Sequence, residues 1–114
     1  MIRLVLTAAM AAALMGATAQ ADDYYMESYA AHCPVGGGAE GIISVGAGKL
    51  LIFETSYDRV GERKTGAGGW QTALWRCMSE GEPCGDVELA LRITPAMIAI
   101  KTPDGVIEGR RCPS

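Results

Sequence analysis

Four cysteines are the residues of this chain whose type and spacing bear most directly on chemistry. A redox dithiol is typically Cys-x-x-Cys, and a structural zinc site joins two such close pairs. The cysteines here are separated by 43, 6 and 27 residues, which fits neither arrangement. The sequence therefore predicts structural disulfides and no metal site. The four half-cystines are Cys33, Cys77, Cys84 and Cys112.

Four half-cystines can pair in three ways, and the sequence leaves all three open. We favour Cys77–Cys84, because Gly81 and Pro83 lie between them and supply a turn that brings the two sulfurs together. The remaining pair is then Cys33–Cys112, which would tie the beginning of the domain to its end.

The residues that could serve catalysis are sparse. His32 is the one histidine, and its position beside Cys33 predicts a surface residue rather than a general base. Glycosidases use a pair of carboxylates, but no two of the thirteen acidic residues are distinguished by their sequence surroundings as such a pair. Gly46-Ala47-Gly48-Lys49 ends like a phosphate-binding loop, but Leu50 follows where that motif needs Ser or Thr. We predict no catalytic residues, no cofactor and no enzymatic activity.

The N-terminus has the order of a secretory signal peptide. Arg3 is followed by an uncharged apolar run over 4–15, and Ala19-Gln20-Ala21 is the small-x-small pattern of a cleavage site. A membrane anchor is the alternative, but the run is shorter than the roughly 20 residues that span a bilayer. We predict a signal peptide over 1–21, cleavage after Ala21, no membrane span thereafter, and a periplasmic location.

The charge of the mature part argues against a polyanionic partner. Removing 1–21 takes away one arginine and no acid, so the net charge falls from −3 to −4. The densest basic group, Arg59, Arg63 and Lys64, is interrupted by Asp58 and Glu62. Nucleic-acid binding needs clustered cations. We therefore predict no nucleic-acid partner and read the basic group as part of a solvated loop.

The segments that must position these residues read as short strands. The β-branched, apolar or alternating runs are 42–45, 49–55, 70–77, 86–93, 96–101 and 106–111. Gly46-Ala47-Gly48 and Thr102-Pro103-Asp104-Gly105 predict hairpin turns. In 86–93, Val87, Leu89, Leu91 and Ile93 share one face, although a short helix is the alternative there.

Two segments lack a strand pattern: 22–28 reads as a loose lead-in, and 56–69 as a long irregular stretch. We predict one all-β domain over 22–114, a small antiparallel β-barrel or sandwich of about six to seven short strands stapled by two disulfides.

The most suggestive segment for binding runs from Thr65 to Trp70. Glycines allow close approach of backbones, and tryptophan supplies much of the contact energy at interfaces. Trp70 and Trp75 are five residues apart and so belong to opposite faces of one strand. Trp75 is the better core residue of the two, and Trp70 is either a second core aromatic or a contact residue.

An exported domain of short strands, with a cysteine near each end and a small-residue loop before an aromatic, resembles the periplasmic inhibitors of C-type lysozyme. Those proteins are small β-barrels whose Ser-Gly-x-x-Tyr loop enters the lysozyme cleft. The matching stretch here is Thr65-Gly66-Ala67-Gly68-Gly69-Trp70, one residue longer, with Thr for Ser and Trp for Tyr. The resemblance implies a β-barrel and carries over Thr65, Gly66 and Trp70 as candidate binding residues.

Two functions of different class follow. The first is an exported binding or inhibitor module that acts through the loop from Thr65 to Trp70 on a protein partner, such as a cell-wall hydrolase. The alternative is a non-catalytic structural or accessory subunit of an envelope complex, with an exposed sheet face or sheet edge as its contact.

Overall fold

The computed structural model describes residues 22–113, so the predicted signal peptide over 1–21 lies outside the described residues. Nine antiparallel strands make up most of this part, together with two short 3-10 turns, Ala30–His32 and Ala67–Gly69. No helix among the described residues is long and apolar enough to cross a membrane. The strands are β1 Asp22–Tyr25, β2 Ile42–Gly46, β3 Lys49–Ile52, β4 Thr55–Arg59, β5 Lys64–Thr65, β6 Gln71–Ser79, β7 Glu82–Ile93, β8 Met97–Thr102 and β9 Gly105–Arg111.

Eight of these strands close into an up-and-down barrel. Within the ring each strand pairs with the next one along the chain, except that β4 pairs with β6 instead of β5, and closure comes from β1 pairing with β9. The β4–β6 pairing bridges the segment that contains β5, and β5 itself pairs only with the start of β6. The all-β prediction is confirmed, with a barrel and more strands than the six to seven predicted. A closed barrel leaves no unpaired edge along its ring.

The extra strands lie where the sequence predicted irregular chain. The segment 22–28 contains β1, and 56–69 contains most of β4 and all of β5. The predicted run 49–55 covers β3 and only the first residue of β4, because the chain reverses at Phe53 and Glu54, where Phe53 adopts a φ of 52°. These strands are polar or short, so their pairing depends on neighbours that are distant in sequence.

Alternation along β6 and β7 builds much of the core. On β7, Val87, Leu89 and Leu91 face the barrel interior as predicted, while Ile93 reaches the rim and is 49% exposed. The helical alternative for 86–93 is wrong. An eight-stranded barrel is just wide enough for side chains to fill. The fully buried large side chains are Tyr24, Ile42, Ile43, Leu50, Leu89, Ile98 and Ile100.

Both disulfides join the pairs that the sequence favours. Cys77 and Cys84 lie on β6 and β7 beside their hairpin, with Cα atoms 5.0 Å apart. Cys33 and Cys112, with Cα atoms 5.6 Å apart, tie the β1–β2 connection to the residue after β9. That connection lies against the outside of the barrel, since a Cβ on Gly37 would stand 2.8 Å from the Ser44 hydroxyl oxygen. Glycine is needed there because no side chain fits between the two segments.

Candidate functional site

The loop from Thr65 to Trp70 forms the tip of a hairpin between β5 and β6. Thr65 pairs with Gln71, and the Gly66 amide donates a hydrogen bond to the Trp70 carbonyl oxygen over 2.7 Å. Every residue from 61 to 69 is exposed. The structure therefore places Thr65 and Gly66 on an accessible loop whose two ends are held together. We call residues 64–72 the β5–β6 hairpin.

Trp70 lies outside the barrel and is half-buried. The Arg92 guanidinium carbon is 4.5 Å from the centroid of the indole ring, and the Lys101 ammonium is 4.3 Å from it. Arg92 and Lys101 belong to the outer faces of β7 and β8, so the ring rests against the barrel wall. Cation–π contacts of this kind contribute about 0.5–1 kcal/mol each at exposed sites. Trp70 thus anchors the hairpin, and part of its ring remains accessible.

The Trp75 side chain points into the barrel, opposite to the Trp70 side chain, as the five-residue spacing predicts. It is 4% exposed and belongs to the core. Its indole nitrogen Nε1 is buried and has no hydrogen-bond partner among the described residues. Buried polar groups are nearly always paired, so this N–H stands out.

A cavity of about 230 Å³ opens at the barrel end where β4 and β7 end and β6 begins. Its apolar lining comes from three strands, β2, β6 and β7: Val45, Ala73, Trp75, Leu91 and Ile93. We call this end of the barrel the arginine mouth, because Arg59 and Arg63 also line the cavity, with Gly69 and Gln71 completing it. The base of the β5–β6 hairpin therefore borders the cavity.

The register of β4 against β6 explains why Arg59 lines the inside of the barrel. Arg59 is the last residue of β4 and lies directly opposite Trp75 of β6. Directly opposed residues in a sheet project to the same side, so Arg59 shares the inner face with Trp75. The sequence predicts a solvated loop at Arg59, which is wrong, because Arg59 belongs to β4 and shares the inner face of the barrel. The alternation of Thr55, Tyr57 and Arg59 is the signal that could have indicated it.

His32 has a structural role in the β1–β2 connection. Its Nδ1 is 2.6 Å from the Glu40 carbonyl oxygen, and since a carbonyl can only accept, the imidazole donates this hydrogen bond. The contact joins two parts of the β1–β2 connection. Across residues 22–113, no group of three or more His, Cys, Asp or Glu side chains is arranged to hold a metal ion.

Burial perturbs two tyrosines of the barrel. Desolvation raises the pKa of Tyr57 above its usual value. Desolvation also raises the pKa of Tyr24, an effect that the nearby positive charge of Arg111 opposes. Arg111 donates a hydrogen bond to the Tyr24 hydroxyl over 3.3 Å and forms an ion pair with Asp22 over 2.7 Å. These groups stabilise the closure between β1 and β9.

Comparison of the chain with models of protein families, with functionally characterised proteins and with solved structures finds no match. Exposure and the cavity lining alone identify the two candidate sites, the accessible β5–β6 hairpin and the arginine mouth.

Proposed function

We propose that this protein is an exported binding module of the bacterial envelope that engages a protein partner through the β5–β6 hairpin. The partner class is a cell-wall hydrolase of the lysozyme type, whose cleft would receive the hairpin tip. The single observation that carries the proposal is an accessible loop of small residues with a fastened base: residues 61–69 are exposed, while Trp70 is held by Arg92 and Lys101.

The hairpin suits insertion into a cleft for two physical reasons. A tip built of Gly66, Ala67, Gly68 and Gly69 has no bulky side chain, so its backbone can approach the partner closely. The hydrogen bond from Gly66 to Trp70 and the clamped indole reduce the freedom that the loop loses on binding, and a smaller entropic loss increases affinity.

The compartment assignment rests on the disulfides together with the N-terminal pattern. Disulfides form and persist in oxidising compartments, outside the cytoplasm in most bacteria. Both cystines lie in the part of the chain that follows the predicted cleavage after Ala21. These features support a periplasmic location.

The test is inhibition of a C-type lysozyme by the oxidised mature chain, measured as the initial rate of cell-wall lysis. We expect dose-dependent inhibition that Trp70→Ala weakens by at least about tenfold, because interface tryptophans commonly contribute 2 kcal/mol or more. Gly66→Arg, which adds bulk to the tip without touching the barrel, should abolish inhibition.

Phe53→Ala is the matched control, because Phe53 is a 43% exposed aromatic at the β3–β4 turn, at the other end of the barrel. It should inhibit as well as the wild type. Inhibition that survives both Trp70→Ala and Gly66→Arg would refute the hairpin as the contact. Absence of inhibition by the wild type would refute the lysozyme-type partner and favour an accessory subunit instead.

A further inference from the structure

We propose that the arginine mouth is a second binding site, for a small amphipathic carboxylate whose apolar body enters the barrel rim and whose head group lies on Arg59 and Arg63. The proposal concerns the inside of the barrel and is independent of the protein partner proposed for the hairpin. Two features of the cavity carry it.

The first feature is the apolar floor. Ala73, Trp75 and Leu91 line the cavity and are each less than a tenth exposed, and Ile93 extends this wall to the rim. Such a surface favours a ligand with an apolar body, because binding removes apolar area from water. The volume of about 230 Å³ is below the roughly 300–1,000 Å³ typical of drug-sized ligands. The site therefore fits a short aliphatic or aromatic body.

The second feature is uncompensated positive charge. Both charged residues that line the cavity are arginines. The three ion pairs within 22–113 use Lys49, Arg76 and Arg111, so Arg59 and Arg63 remain available for a ligand. A guanidinium binds a carboxylate through two parallel hydrogen bonds, and a charged acceptor roughly doubles the strength of each. The rim thus favours an anionic head group.

Octanoate is a suitable probe, with its uncharged analogue octan-1-ol as comparison. We expect isothermal titration of the oxidised mature chain to find saturable one-to-one binding of octanoate, and binding of octan-1-ol at least about tenfold weaker. Arg59→Gln and Arg63→Gln should each weaken octanoate binding by about tenfold. Arg110→Gln is the matched control, because Arg110 is exposed on the outer face of β9, and it should bind as the wild type does.

A substitution in the floor separates this site from a general attraction to positive charge. Ala73→Leu adds bulk that faces the cavity and should abolish octanoate binding while the near-UV circular dichroism stays that of a folded barrel. The proposal is overturned if octanoate fails to saturate at millimolar concentration. It is equally overturned if the folded Ala73→Leu variant, or the double variant of Arg59 and Arg63, binds as the wild type does.

Discussion

The two tryptophans mark two regions of this molecule that are held by different physics. Trp75 is 4% exposed inside the barrel, among side chains contributed by strands from the whole length of the chain. Trp70, five residues earlier, lies on the outer wall, where its indole is held by Arg92 and Lys101. The same residue type thus serves as core in one region and as anchor in the other.

This difference indicates which region tolerates substitutions without loss of the fold. The interior depends on close packing, so removing a large side chain leaves a cavity whose lining loses contacts on every side. The β5–β6 hairpin depends on one strand pairing and two cation–π contacts, each of modest strength. Binding functions fit the hairpin and the rim for this reason, whereas the barrel wall carries stability.

The largest expected effect tests this contrast directly. Trp75→Ala should lower the free energy of unfolding by about 3–5 kcal/mol, as large-to-small substitutions in cores do. Trp70→Ala should lower it by only about 1 kcal/mol, because mainly cation–π contacts are lost. Urea denaturation of both variants, followed by far-UV circular dichroism, measures the two values. Equal losses would contradict the division between interior and exterior.

The two disulfides allow a second comparison, in which the expected losses of stability are of intermediate size. Cys33–Cys112 closes a sequence separation of 79 and holds the β1–β2 connection to the end of β9, while Cys77–Cys84 closes a separation of 7 within one hairpin. Chain entropy predicts a loss of about 4.5 kcal/mol when the first pair is replaced by alanine and about 2.5 kcal/mol for the second. Denaturation of the two double variants checks the order. A reversed order would indicate that the β6–β7 hairpin, rather than the outer connection, limits stability.

The smallest expected effect concerns the barrel interior at alkaline pH. Burial raises the pKa of Tyr57 in the folded protein above its value in the unfolded chain. The unfolded chain therefore loses this proton first, so the stability contribution is complete below about pH 10 and declines as the pH rises towards the folded pKa. Tyr57→Phe should flatten part of this decline when urea midpoints are compared from pH 8 to 11. Tyr24→Phe removes the other raised tyrosine and serves as the comparison. An unchanged slope for Tyr57→Phe would mean that the Tyr57 hydroxyl is hydrated in the barrel.

Local pattern was sufficient for the parts of the fold that depend on neighbouring residues. Alternation identified the inner face of β7, the spacing of the tryptophans placed them on opposite sides, and the turn at Thr102 to Gly105 joins β8 to β9 as predicted. The turn at Gly46 is tighter than the predicted three-residue loop, because Gly46 pairs with Lys49. Such features follow from side-chain direction and turn geometry, which act over a few residues.

Closure of the barrel could not be predicted in the same way. Tyr24 pairs with Arg111 at the opposite end of the chain, and Arg59 pairs with Trp75 across an intervening loop. The strands β1 and β4 are rich in polar residues, so little in their own sequences distinguishes them from irregular chain. Their conformation is stabilised by the partner strands, whose positions depend on the whole fold.

The all-β class, the favoured cysteine pairs and the loop from Thr65 to Trp70 can be predicted from the sequence alone, because each depends on composition or on short-range geometry. The strand count, the closed ring and the arginine mouth depend instead on how the whole chain folds. The arginine mouth exists because β4 pairs with β6, and this pairing places Arg59 on the inner face of the barrel. Arg59 therefore lines an apolar cavity, although its sequence neighbours predict a solvated loop. Contacts between residues remote in sequence carry that information, and a local pattern does not contain it.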